Sequence, residues 1–231
     1  MATRPVFVPC QRSGCFIEEV QITFHWHAGV APIQKKRNVT ELHAAASVKG
    51  LSQILEVSTK SDDKLGQRLS SFNLRVSRSD GSTIPLESAY QGSKVFTDGG
   101  PFNDLFVRDP REAKRDGRLK SSGRLIGFKF DKSEWELEPR TAFYDWLYLY
   151  ALKDHSEYLR RLYKYDAFSD IEFNPNSSIN TQARSCALLV SLLRQHLFPR
   201  AVYDRSLFIG LLRQGSVGQR HADGSEQSTL L

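Results

Sequence analysis

Cysteine, methionine and histidine are scarce in this chain: its 231 residues hold 3 Cys, 1 Met and 6 His. Three cysteines (Cys10, Cys15 and Cys186) are too few for a disulfide scaffold and point to a reducing compartment. The expected location is therefore cytoplasmic. Cys10 and Cys15 have neither a second pair nor a histidine cluster beside them, so no metal site is read and no cofactor is expected. No Ser-His-Asp spacing of a nucleophilic hydrolase appears. No apolar run reaches the roughly 18 residues of a membrane span, and MATRPVFVPC at the start lacks an apolar signal core. Membrane insertion and secretion are both argued against, and no membrane partner is expected.

What the chain does hold is enough apolar material for a core, at 40% hydrophobic residues. The length suits a single catalytic domain, taken as residues 1–213. Residues 214–231, rich in Gly, Ser and Gln without periodicity, read as a disordered tail. The formal net charge of +6 suits an anionic partner. Basic residues are densest at Arg111, Lys114, Arg115, Arg118, Lys120 and Arg124, with Lys129 beyond, against Glu112 and Asp116. Such a run is either a solvated loop or a strip that meets nucleic-acid phosphates.

Periodicity places the elements. Glu18 to His27 alternates, with Val20, Ile22, Phe24 and Trp26 on one face, and is the clearest strand. Pro5 to Pro9 is a short strand fenced by prolines. Ile33 to Lys49 reads as a helix with Ile33, Val39, Leu42, His43 and Ala46 toward the core and Gly50 closing it. Ile54 to Ser58 is a strand, and Ser61-Asp62-Asp63 caps a helix through Leu69. Arg124 to Phe130 pairs with Glu134 to Glu138 as a hairpin. Helices follow at 140–153, 156–163, 181–197 and 206–213, and Tyr165 to Asn180 reads as a loop of turn residues. The fold class is α+β: a small, mostly antiparallel sheet with a helix-rich C-terminal half.

The stretch from Gly66 to Lys94 organises the chain. Phe72 to Val76 reads as a strand, Asp80-Gly81 as a turn, and Thr83 to Leu86 as a returning strand in which Pro85 allows an edge position or a strand end but not a central ladder. A helix then starts, with Glu87, Tyr90, Gln91 and Lys94 spaced i, i+3, i+4 and i+7 on one face. A carboxylate, a phenol, an amide and an amine make a poor core stripe and a good wall for a polar pocket.

Ser71-Phe72-Asn73 followed by Glu87-Ser88-Ala89-Tyr90-Gln91-Gly92-Ser93-Lys94 resembles the S-N-F … E-H-x-[YF]-Q-x-x-K core of the NADAR family of N-glycosidases. These act on ADP-ribose conjugates or on riboflavin-pathway intermediates. Trp135 to Tyr148, and Ile171-Glu172-Phe173-Asn174 with Asn180-Thr181-Gln182-Ala183 and Leu188 to Arg194, are similar to the family's middle and terminal motifs. Ser88 stands where the family has His, Gln182-Ala183 where it has Leu-Gly, and Ser-Phe-Asn replaces Ser-Asn-Phe. The blocks Gln34-Lys35, Gly99-Gly100-Pro101 and Phe143-Tyr144-Asp145-Trp146 resemble the branch of antitoxins paired with DarT-type toxins. Such toxins ADP-ribosylate DNA. The resemblance implies an enzyme that removes ADP-ribose from a nucleobase, guanine in particular, in single-stranded DNA, releasing ADP-ribose. Functional pairing with a DarT-type toxin follows from the same resemblance. An N-glycosidase of riboflavin metabolism and a non-catalytic module that binds ADP-ribose or the toxin stay open beside it.

Cleaving an N-glycosidic bond builds positive charge on the anomeric carbon. A carboxylate stabilises that charge or moves protons, and an amine can instead form a Schiff base with the opened sugar. Glu87 is the carboxylate candidate, and Lys94 and Lys35 are the amine candidates. Asn73, Tyr90, Gln91 and Asn180 are candidates to hold ribose hydroxyls and phosphates. Gly99 and Gly100 would let backbone N–H groups approach a phosphate. Phe72 or Trp135 would stack on adenine. The resemblance puts Asp170 and Glu172 near the site. His43, beside Leu42, reads as a core histidine.

Overall fold

The structure, a computed structural model, describes residues 1–10, 12, 14–176 and 178–220. It opens with β1 (Ala2–Pro9) and β2 (Cys15–Phe24), antiparallel with Val6 opposite Val20. Val20, Ile22 and Phe24 are buried while Gln21 and Thr23 are exposed, as a pleated strand with one covered face requires. The cover is α1 (Pro32–Val48), which begins on a proline whose missing N–H costs nothing there. Its Val39, Leu42 and Ala46 pack with those β2 side chains. Ile33, in the first turn, stays exposed. β3 (Ile54–Glu56) precedes α2 (Lys64–Arg68), where the Asp63 carboxylate accepts from the Leu65 N–H at 2.7 Å.

The hairpin β4 (Arg75–Ser77) and β5 (Thr83–Pro85) leads straight into α3 (Leu86–Gly92). β6 (Lys94–Phe96) follows, then a 3-10 turn at Asn103–Val107, α4 (Pro110–Arg115) and α5 (Arg118–Ser121). β7 (Leu125–Phe130) and β8 (Ser133–Trp135) complete an antiparallel sheet with β6. The rest is α6 (Ala142–Leu152), α7 (Ser156–Leu162), β9 (Ala167–Ser169), α8 (Gln182–Arg194), α9 (Phe198–Tyr203), α10 (Arg205–Gln214) and β10 (Ser216–Arg220). The main sheet has the order β10-β2-β1-β9-β3. α8 packs against β1, β2 and β9, and against α6, so the larger core lies between the main sheet and the C-terminal helices. Among the described residues no helix is long and apolar enough to cross a membrane. The fold is α+β, antiparallel-rich in its sheets and helix-rich toward its end.

Several expectations change. Residues 71–73 form a turn, and the strand expected from Phe72 is only Arg75–Ser77. α3 ends at Gly92, so Lys94 is not on its face; it begins β6, opposite Phe128. There the carbonyls pair outside the helix: Gly92 O accepts from the Phe102 N–H at 2.8 Å and Ser93 O from the Lys129 N–H of β7 at 2.7 Å. β9 lies inside the stretch that reads as a loop, and α9 lies where no helix is expected. Residues 216–220 run parallel to β2 as β10, where the sequence reads as tail; residues 221–231 lie outside the described residues.

Candidate functional site

A cleft of about 1200 Å³ opens where α3, β7, α4–α5 and the segment from Asp170 to Gln182 converge. Its floor is organised around Glu87, whose side chain is 5% exposed. One carboxylate oxygen accepts from Ser71 Oγ at 2.9 Å and the other from Gln91 Nε2 at 2.9 Å. Lys114 Nζ, from α4, lies 3.7 Å away. The Ser71 backbone N–H donates to Gln182 Oε1 at 2.7 Å, which ties the turn before β4 to the start of α8. Every contact Glu87 makes is thus a donor or a cation, the arrangement that fits a carboxylate.

Lys94 enters from β6. Its ammonium stands 4.9 Å from the Tyr90 ring centroid. Burial pushes its pKa down to about 8; Glu87 opposes that shift and Lys114 adds to it. An amine held there is neutral in a usable fraction at physiological pH. Tyr90 is fixed by stacking on Phe128 at 5.6 Å and by accepting from Asn180 Nδ2 at 2.8 Å. Burial raises the pKa of Tyr90 and of Tyr144, which also lines the cleft. Two acceptors are buried without a partner in this wall, Gln91 Oε1 and Asn180 Oδ1. Buried polar atoms are rarely left unsatisfied, so they mark places for a ligand's O–H or N–H groups.

Asp170 Oδ2 accepts from Thr181 Oγ1 at 3.0 Å and Oδ1 from the Glu172 N–H at 3.1 Å. Burial, then the nearby Glu56, raise its pKa to about 7. Glu172 lies on the cleft wall. The basic run divides by function: Arg118 is engaged with Asp104 and Asp116, whereas Lys114 and Lys120 reach the cleft, joined by Arg140. Lys114 also lies over the Phe72 ring at 5.3 Å.

Glu87, Lys94, Phe72, Tyr90, Gln91, Asp170, Glu172 and Asn180 therefore meet around one cleft. The other expected residues do not line it. Lys35 stands over the Trp26 ring at 5.7 Å and 3.9 Å from Glu172. Asn73 is exposed and donates to the Gln67 carbonyl. Trp135 is core, 4.9 Å from the Trp146 ring. Gly99 and Gly100 fold back on β6: Gly99 accepts from the Phe96 N–H at 2.7 Å. A Cβ on Gly100, at φ +85°, would lie 2.3 Å from the Lys94 carbonyl oxygen. Their smallness serves the placement of Lys94. Ser71, Lys114, Tyr144, Thr181 and Gln182 were not among the expected site residues; Ser71, Tyr144, Thr181 and Gln182 all fall in the motifs quoted above, and Lys114 falls in the basic run.

Among the described residues, ligand atoms of Cys10, Cys15 and Glu18 lie within 4.8 Å of one another at the β1–β2 turn. None of the three lines the cleft, and Arg12 Nη2 already holds Glu18 at 2.6 Å. No curated protein matches this sequence. Residues 2–222 do match a family model, described as DarT1-associated NADAR antitoxin, and over that span, nearly its whole length, the chain belongs to the NADAR antitoxin family associated with DarT1.

Proposed function

We propose that this antitoxin is an ADP-ribosyl glycohydrolase that cleaves the N-glycosidic bond between ADP-ribose and a nucleobase, guanine in particular, in single-stranded DNA, and so reverses the modification made by its toxin. The observation that carries the reading is the meeting of Glu87 and Lys94 in one large cleft with the unpartnered Gln91 and Asn180 oxygens. A volume of about 1200 Å³ exceeds the roughly 300–1,000 Å³ of ordinary small-molecule sites, which suits an ADP-ribosyl group still attached to a strand. Lys120 and Arg140 at the rim supply charge for phosphates.

Lys94 is the better nucleophile of the two lysines, because burial holds down its pKa while Lys35 is outside the cleft. Its neutral amine adds to the anomeric carbon, and the electron pair of the breaking C–N bond goes to the base, which leaves protonated. The ribose ring opens as its oxygen takes up a proton, giving an imine. Water then adds to the imine carbon and expels the amine, releasing ADP-ribose. Glu87 steadies the positive charge that develops on the sugar.

The test uses an ADP-ribosylated oligonucleotide and measures free ADP-ribose. Glu87→Gln is expected to lower turnover by about 10²–10⁴-fold, the usual worth of such a group, with ADP-ribose binding retained. Lys94→Ala should be at least as severe and Lys35→Ala mild. Borohydride added during turnover should trap an adduct on Lys94, located by mass spectrometry. Wild-type protein that binds the substrate yet releases nothing would make this chain a binding module. Activity in both lysine variants without any adduct would leave direct attack by water, assisted by Glu87.

A further inference from the structure

Glu56 is a buried carboxylate that no step above uses. It sits on β3, 3% exposed, and it does not line the cleft. Ser169 and Ile171, the residues on either side of Asp170, both donate to it: Ser169 Oγ at 2.6 Å and the Ile171 N–H at 2.9 Å. Ser58 Oγ is a third donor at 2.6 Å. Since the Ser169 hydroxyl donates to Glu56, its oxygen accepts from His43 Nε2 at 2.8 Å. Burial lowers the His43 pKa to about 4, so that ring is neutral and supplies a hydrogen bond but no charge.

Asp170 makes the contrasting set. It accepts two hydrogen bonds rather than three, and it borders the cleft. The carboxylates that face it are Glu56 on β3 and Glu172 just beyond β9. From α6 come the phenols of Tyr144 and Tyr148 and from α8 the thiol of Cys186. Burial raises the pKa of all three, which keeps them neutral. Lys35 on α1 pairs with Glu172 at 3.9 Å. Two interacting carboxylates shed their protons in two steps. The richer donor set makes Glu56 the first to ionise, and its charge then keeps the remaining proton on Asp170.

We infer that Asp170 is the general acid of this site, protonating the departing base, and that Glu56 is the positioning residue that holds the proton on it. The inference rests on the glycohydrolase reading. As the C1′–N bond breaks, its electron pair passes to the base nitrogen and Asp170 delivers a proton there. The resulting carboxylate recovers a proton from the incoming water, so one water is consumed and no net charge is left. Glu87, set among two donors and the Lys114 ammonium, keeps the complementary role of steadying the charge on the sugar. Opposed environments for two carboxylates are what acid and base roles require.

The experiment compares wild type, Glu56→Gln and Asp170→Asn on the ADP-ribosylated oligonucleotide as a function of pH. Removing the Glu56 charge lets Asp170 lose its proton earlier. The ratio of wild-type to Glu56→Gln rate should be near one in acid, climb as pH approaches neutrality, and level off above it at tenfold or more, tenfold for each unit by which the Asp170 pKa falls. A lesion of structure alone lowers the rate by the same factor at every pH, and a pH-independent ratio overturns the inference. Asp170→Asn should lose about 10²–10⁴-fold at neutral pH with unchanged affinity for ADP-ribose; full activity in this variant also overturns it. Should Glu56→Gln fail to fold, infrared difference spectra of wild type against Asp170→Asn decide the matter. They should show a protonated carboxyl band at neutral pH, and its absence refutes the inference. A wild-type protein without any hydrolysis refutes the glycohydrolase reading itself, which separates the two failures.

Discussion

Lys94 shows how the chemistry of the cleft is set against stability. Its folded pKa is about 8, below the roughly 10.4 of an unfolded lysine. Well below pH 8 both states hold the proton, and the folded state bears the whole cost of a buried charge. Between the two values the unfolded chain binds more protons, so stability rises with pH across that window. Lys94→Met is expected to melt above wild type at neutral pH while releasing no ADP-ribose, and the difference in Tm should shrink toward pH 10. A variant that melts below wild type at every pH would mean that the ammonium's contact with the Tyr90 ring outweighs its desolvation. Asp170 runs the opposite way. Its folded pKa, about 7, lies above the roughly 3.9 of an unfolded aspartate. The folded state then binds more protons, and this group's contribution falls as pH rises from about 4 to 7.

Elements differ in how far their sequences reveal them. β2 and α1 are legible because one covered face repeats at the strand or helix period, whereas α6 and α8, buried nearly all round, are legible as apolar stretches too long for a strand. β9 is not: Ala167-Phe168-Ser169 is buried at every position, and three residues are too few to show any period. Glu87, Tyr90, Gln91 and Asn180 are legible as a motif, whereas Tyr144, though inside a quoted block, sits among Phe143, Trp146 and Leu147, where a tyrosine reads as core. Trp135 misleads for the same reason in reverse, an aromatic taken for a ligand platform that packs on Phe143 and Trp146. Lys94 belongs to the cleft, yet it arrives there by strand pairing rather than by helix spacing, so the loop that clamps β6 controls it. Gly100→Ala is the test at this scale. A side chain at φ +85° and 2.3 Å from the Lys94 carbonyl oxygen should cost about 1–3 kcal/mol, read as a lowered Tm, and should depress turnover by displacing β6. Normal turnover in a folded Gly100→Ala protein would show that β6 tolerates the shift.

At the scale of the whole molecule, a net charge of +6 over 231 residues is too modest to make the protein a general nucleic-acid binder, so placement matters more than amount. Part of the basic run is locally neutralised, as Arg118 is by Asp104 and Asp116 and Lys129 by Glu134. Lys120 and Arg140 are exposed and border the cleft, where a strand carrying the modified base would pass. Each phosphate contact to a single strand contributes a salt slope of about 0.7 in log affinity against log salt concentration. Lys120→Glu with Arg140→Glu should therefore weaken binding of an ADP-ribosylated oligonucleotide and flatten its salt dependence by at least about 1.4. Hydrolysis of an ADP-ribosylated nucleoside, which has no flanking phosphates, should keep its rate. Equal losses on both substrates would move these two side chains from the strand path to the diphosphate of ADP-ribose itself. An unchanged salt slope would instead place the strand on another face of the protein.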